Sequence, residues 1–156
     1  MKKHFLFLIP LIFLSVGAKT NRADYDFNVV LDDSLKIISG YADIAYANNT
    51  GDVIESMNFH LTANMFLSES EFLKRKVSPL AEGYTRIDSV FEDSIRNDDF
   101  TTDYTMAYLK LATPILPYSS KKLRVFFTNK VPLPFLREGW AEGSYDISQW
   151  YPKVAV

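Results

Sequence analysis

Apolar and polar residues alternate in short runs along most of this chain, and a period of two is the signature of strands with one buried face. Tyr25, Phe27, Val29 and Leu31 occupy every second position, with Asp26, Asn28 and Val30 between them. Asp32-Asp33-Ser34 then supplies turn residues. A second strand is expected from Leu35 to Asn48, with a bulge at Gly40, where the phase passes from Leu35 and Ile37 to Ile44 and Tyr46. Asn48-Asn49-Thr50-Gly51-Asp52 has the composition of a loop. Met57, Phe59 and Leu61 then alternate with Ser56, Asn58 and His60, so His60 points away from the apolar face.

Ser68-Glu69-Ser70-Glu71 has capping-box spacing and predicts a short helix from Glu69 to Val77, closed by Pro79 and Gly83. Tyr84 to Val90, Thr102 to Leu111 and Leu123 to Thr128 read as further strands. Residues 130–143 carry Pro132, Pro134, Gly139 and Gly143 and read as a loop presenting Phe135, Leu136 and Trp140, either a lid or an interface. Strands without regular strand-helix alternation indicate an all-β, antiparallel β-sandwich with one short helix. The 12 Phe, 9 Tyr and 2 Trp among 156 residues are ample for one core.

Composition removes several function classes. A net charge of −2 lacks the basic footprint of a nucleic-acid binder. With no Cys, and only His4 and His60, neither a disulfide framework nor a Cys/His zinc site can form. Met1-Lys2-Lys3-His4, the apolar run Phe5 to Leu14 and the small residues before Lys19 form a secretory signal peptide over residues 1–18. The run is too short to span a bilayer, so cleavage after Ala18 leaves an exported, periplasmic or extracellular chain with no membrane span.

Several segments taken in order resemble the N-terminal β-sandwich domain of the aminopeptidase N family of zinc metallopeptidases, the gluzincins, in their bacterial secreted form. They are Tyr25 to Leu31 with Ile38-Ser39-Gly40, then Tyr46-Ala47-Asn48-Asn49-Thr50, then Met57-Asn58-Phe59-His60-Leu61 with Asn64. The most specific is Gln149-Trp150-Tyr151-Pro152-Lys153-Val154-Ala155-Val156, similar to the stretch leading out of that domain.

The resemblance implies a sandwich over residues 19–143, with 144–156 a final strand and connection toward a zinc peptidase domain beyond this sequence. In the family the metal is held by an H-E-x-x-H helix and a downstream Glu in that thermolysin-like domain, and this chain contains no such motif. The chain is therefore expected to hold no cofactor and to be inactive alone, with the peptidase domain and a peptide substrate as its partners. Ser148-Gln149 matches the family's T/S-Q pair, which implies that Gln149 meets the substrate's N-terminal end. Tyr151 stands where the family commonly places a carboxylate or amide for the free amine, and it is the second expected substrate-binding residue.

Weaker signals have plainer explanations. His60 alone is a surface residue, because a zinc site needs three or four protein ligands. Asp98, Asp99 and Asp103 lack the Gly and terminal Glu of an EF-hand and read as a solvated turn. Lys74-Arg75-Lys76 complements the end of the predicted helix. Asn48-Asn49-Thr50 fits a glycosylation sequon, which means little in a bacterial-looking exported chain. The rival reading is a free-standing extracytoplasmic sandwich that binds a protein or a glycan through residues 130–143.

Overall fold

The computed structural model describes residues 20–67, 82–133 and 139–155, so the expected signal peptide and the expected helix from Glu69 to Val77 lie outside the described residues. The strands run β1 (Arg22–Asp32), β2 (Ile37–Ala47), β3 (Ile54–His60), β4 (Tyr84–Glu92), β5 (Ile95–Asn97), β6 (Phe100–Asp103), β7 (Met106–Ile115), β8 (Ser120–Lys130), β9 (Gly139–Ala141), β10 (Ser144–Asp146) and β11 (Lys153–Val154). A 3-10 turn, Thr62–Phe66, follows β3. A five-stranded sheet in the order β1-β2-β8-β4-β5 lies over a four-stranded sheet, β11-β3-β7-β6, and β9 and β10 form a separate hairpin. All strand pairs are antiparallel. The fold is an all-β sandwich.

The core is the set of inward rows that the alternation dictates. Ala42, Ile44 and Tyr46 from β2, Leu123, Val125 and Phe127 from β8, and Ile87 and Val90 from β4 meet Met57, Phe59, Ala107 and Leu109 from the smaller sheet. Burying such side chains contributes about 1.5–3 kcal/mol each, which is why one residue of register slip is not tolerated. The inward row of β8 is Lys121, Leu123, Val125, Phe127 and Asn129, apolar in the middle and polar at both ends. Each polar end is the centre of a buried network.

Two expectations are corrected. No bulge occurs at Gly40, because Val29↔Gly40 and Gly40↔Phe127 belong to uninterrupted registers. Ile38, not Ile37, is the buried residue, so β2 keeps one phase from Ile38 to Tyr46. Gly40 serves close approach instead: at φ +152, a Cβ there would lie 2.1 Å from the Asn28 carbonyl oxygen. The expected strand from Thr102 to Leu111 is two strands, β6 and β7, joined at Tyr104-Thr105. Tyr104 takes φ +46, a conformation that hairpins usually give to Gly, Asn or Asp, so β-favouring residues hid the turn.

The loop after β2 is built around Asn48, which is fully buried. Its Nδ2 donates to the carbonyls of Asp52 (2.7 Å) and Leu116 (3.1 Å), and its Oδ1 accepts from the Thr50 N–H (3.0 Å) and hydroxyl (2.7 Å). The sequon asparagine is therefore a structural hub closed to modification. Asn48→Ala leaves these partners orphaned and lowers stability by about 3 kcal/mol, whereas Asn49→Ala, at a partly exposed site, costs about 0.5 kcal/mol. Urea midpoints of the two variants check this, and equal shifts contradict it.

Candidate functional site

The segment from Ile147 to Val154 is held against β1, β8 and β3 by Trp150, Tyr151 and Val154. Trp150 is half-buried, its ring centroid 5.3 Å from Phe27 and 5.7 Å from Phe127. Tyr151 packs edge-on against Tyr25 (5.2 Å) and Phe27 (4.9 Å). Beyond the buried Pro152, the Val154 N–H donates to the Tyr25 hydroxyl at 2.7 Å, and β11 pairs with β3 as Lys153↔His60 and Val154↔Phe59. Burial pushes the Tyr25 hydroxyl up to about 12, so it stays protonated as it accepts that N–H.

Gln149 sits at the crest of this segment, exposed, with φ +53. A non-glycine residue in the left-handed region persists only where its surroundings over-determine it. Here they do so from both sides. The Thr62 hydroxyl donates to Gln149 Oε1 at 3.0 Å, and the next peptide is fixed where the Trp150 carbonyl accepts the Thr85 hydroxyl at 3.1 Å. Thr85 is tied in turn to Asn129, whose Nδ2 donates to its Oγ1 (2.9 Å), and to Asn64, whose Oδ1 accepts its N–H (2.7 Å). Asn64 Nδ2 reaches on to the Tyr104 carbonyl at 2.7 Å. Thr85, Asn129 and Asn64 are all buried, where such bonds are strong and directional. Asn129 Oδ1 is buried with no hydrogen-bond partner among the described residues.

The structure thus brings Gln149 and Tyr151 into one mount but turns them differently. Gln149 faces solvent, while the Tyr151 ring lies half-buried against β1. Of the residues that fix the mount, Asn64 enters the sequence reading only as part of the resemblance, and Thr62, Thr85 and Asn129 are not singled out there. Their signal is phase: Thr85 precedes Ile87, and Asn129 follows Phe127, on the inward side.

His60 is exposed on β3 opposite Met106 and Lys153, as its phase predicts. Among the described residues no three His, Cys, Asp or Glu side chains gather as metal ligands. No described helix is long and apolar enough to cross a membrane.

Of the residues expected to be presented by the 130–143 loop, Trp140 is half-buried, with the Lys36 ammonium 4.3 Å above its ring. Phe135 and Leu136 lie outside the described residues. Tyr145 of the same hairpin donates to Asp33, which also pairs with Lys36 at 2.9 Å, so the hairpin is pinned to the β1–β2 turn. A separate concavity of about 910 Å³ opens on the outer face of the five-stranded sheet, around Asp26, Asp43, Phe91, Lys122, Arg124 and Phe126. Arg124 binds Asp43 through two nitrogens (2.6 and 2.7 Å) and holds its carboxyl below the usual carboxylate range. This concavity shares no residue with the Gln149 segment.

No family pattern matches the sequence, and no curated relative matches it. Among solved structures, the chain is similar to an M1 zinc metallopeptidase from Deinococcus radiodurans, at 14% identity and a TM-score of 0.46 over 70% of this chain. It is likewise similar to a two-domain M1 zinc metallopeptidase bound to L-arginine, at 13% identity and a TM-score of 0.46. The chain spans about a fifth of the length of these proteins, 20% and 21% respectively.

Proposed function

We propose that this chain is the non-catalytic N-terminal sandwich domain of an exported, aminopeptidase-like zinc metallopeptidase, and that it lines the substrate cleft of a catalytic domain outside these residues. The observation that supports this most is the mounting of Gln149: an exposed amide on strained backbone, fixed by Thr62 in front and by the buried Thr85–Asn129–Asn64 network behind. Recognition sites gain from polar groups held rigidly by such supporting shells. Gln149 Oε1 is held by Thr62, and its Nε2 can donate to a substrate carbonyl. Tyr151 contributes its hydroxyl at the edge of the same cleft. The zinc and its general base belong to the other domain, and this domain supplies substrate orientation.

In the polypeptide that carries both domains, Gln149→Ala lowers kcat/KM for peptides with a free amino terminus by about 30-fold, or about 2 kcal/mol of transition-state stabilisation. Zinc content stays unchanged, and the lost Thr62 bond lowers stability by no more than about 1 kcal/mol. Tyr151→Phe, which keeps the ring packing, lowers kcat/KM by a smaller factor. Unchanged kinetics in both variants would remove this segment from the substrate site.

A further inference from the structure

Among the described residues, no strand pairs with the outer edge of the first strand. Natural sheets blunt their edges with short strands, bulges, Pro or Lys. The other edge strands follow that rule, with three residues in β5, four in β6 and two in β11. β1 has eleven residues and pairs with β2 in unbroken register from Arg22↔Ala47 to Asp32↔Ile37, with no Pro, Gly or Lys. Its inward residues Ala23, Tyr25, Phe27 and Val29 pack on the core yet remain only half-buried, and Val30 and Leu31 are 69% and 44% exposed.

The charges on β1 select an occupant. In a symmetric antiparallel pair of β1 strands, an axis at Asp26 sets Asp26 against its own copy, and an axis at Asn28 sets Asp24 against Asp32. An axis at Tyr25 opposes Asp24 and Asp26, and one at Val29 opposes Asp26 and Asp32. Like charges directly opposite destabilise a strand pair. Only the axis at Phe27 escapes this among these registers, and it sets Arg22 against Asp32 twice. Its inward pairs are Ala23 with Leu31, Tyr25 with Val29 and Phe27 with Phe27, apolar throughout.

We propose that β1 is a homodimer interface, in which two copies pair antiparallel about a two-fold axis at Phe27 and join their five-stranded sheets into one. The contact is isologous and closes on itself, so it does not propagate into fibres. Arg22, which bonds Asp24 at 2.8 Å within its own strand, gains Asp32 of the second copy; Asp32 also accepts the Leu35 N–H at 3.0 Å.

The natural absence of Cys permits a direct test by mixing single-cysteine variants. In the proposed register position 26 faces position 28 of the other copy. Asp26→Cys mixed with Asn28→Cys therefore forms a disulfide-linked dimer under mild oxidation, and each variant alone crosslinks at least about 10-fold less, the opposed Cβ atoms being about 5 Å apart. Sedimentation of the purified wild-type chain gives twice the monomer mass, and Arg22→Glu weakens that dimer about 10-fold without changing the far-UV spectrum. A monomer at ~100 μM, or crosslinking that is no greater in the mixture than in the single variants, overturns the proposal.

Discussion

Replacing Lys121 by Met destabilises the domain by about 3–5 kcal/mol, because it strands a buried carboxylate. Lys121 and Glu92 have side chains only 5% and 4% exposed, and their charged atoms are 2.6 Å apart. Lys121 Nζ also donates to the carbonyl and hydroxyl oxygens of Thr113, both at 2.7 Å. Glu92 Oε1 accepts the Ala112 N–H at 3.0 Å and a bond from Asn97, whose Nδ2 reaches on to the Lys110 carbonyl at 2.7 Å. The network ties β4, β5 and β8 of one sheet to β7 of the other. The double change Glu92→Leu with Lys121→Met restores at least about half of the loss, since an apolar pair leaves no uncompensated charge. Denaturant midpoints of the single and double variants measure this directly, and additive losses would contradict it.

The same pair sets an acid limit. Burial alone would raise the Glu92 carboxyl, but the Lys121 ammonium, the Ala112 N–H and the Asn97 amide outweigh it and hold the group below the usual carboxylate range. A depressed folded-state value means that this stabilisation is present above the unfolded-state value and is lost as pH falls through the folded-state one. Stability therefore declines below about pH 4.5, and the decline is shallower in the double variant. Equal slopes would remove Glu92 from the acid response.

Trp150→Ala is the second large effect, about 3 kcal/mol, in the range of ring deletions from well-packed sites. The indole fills the gap between Phe27 of β1 and Phe127 of β8, and it anchors the peptide whose carbonyl accepts the Thr85 hydroxyl. Its loss releases the mount of Gln149, so amide protection at Val154 and Ala155, bonded to Tyr25 and Asn58, falls more than protection along β8. Trp150→Phe keeps most of the packing and costs about 1 kcal/mol. A uniform loss of protection along the chain would show that the segment is not a separate unit.

The parts of the fold legible in the sequence are those where inward residues are apolar. Tyr25 to Val29 and Met57 to Leu61 announce β1 and β3 because polar residues separate the inward ones, half-buried in β1 and buried in β3. The ends of β8 were illegible for the opposite reason: Lys121 and Asn129 keep the inward phase but are polar, and only their partners across the sandwich make that position acceptable. Turns carried by Tyr104 and by Gln149 were hidden because their positive φ falls on residues that rarely adopt it. Gln149 itself came from a motif, while Thr62, eighty-seven positions away, enters only through the fold.

The central claim is that this sandwich works as one domain of a zinc peptidase. Its most direct test is to capture the native polypeptide from its source cells with an antibody to the sandwich, then measure its intact mass, bound zinc and aminopeptidase activity. The account predicts a single polypeptide far heavier than the 17.9 kDa of residues 1–156, carrying zinc and releasing N-terminal residues from peptides. A captured chain no larger than these residues, with neither zinc nor peptidase activity, would contradict it.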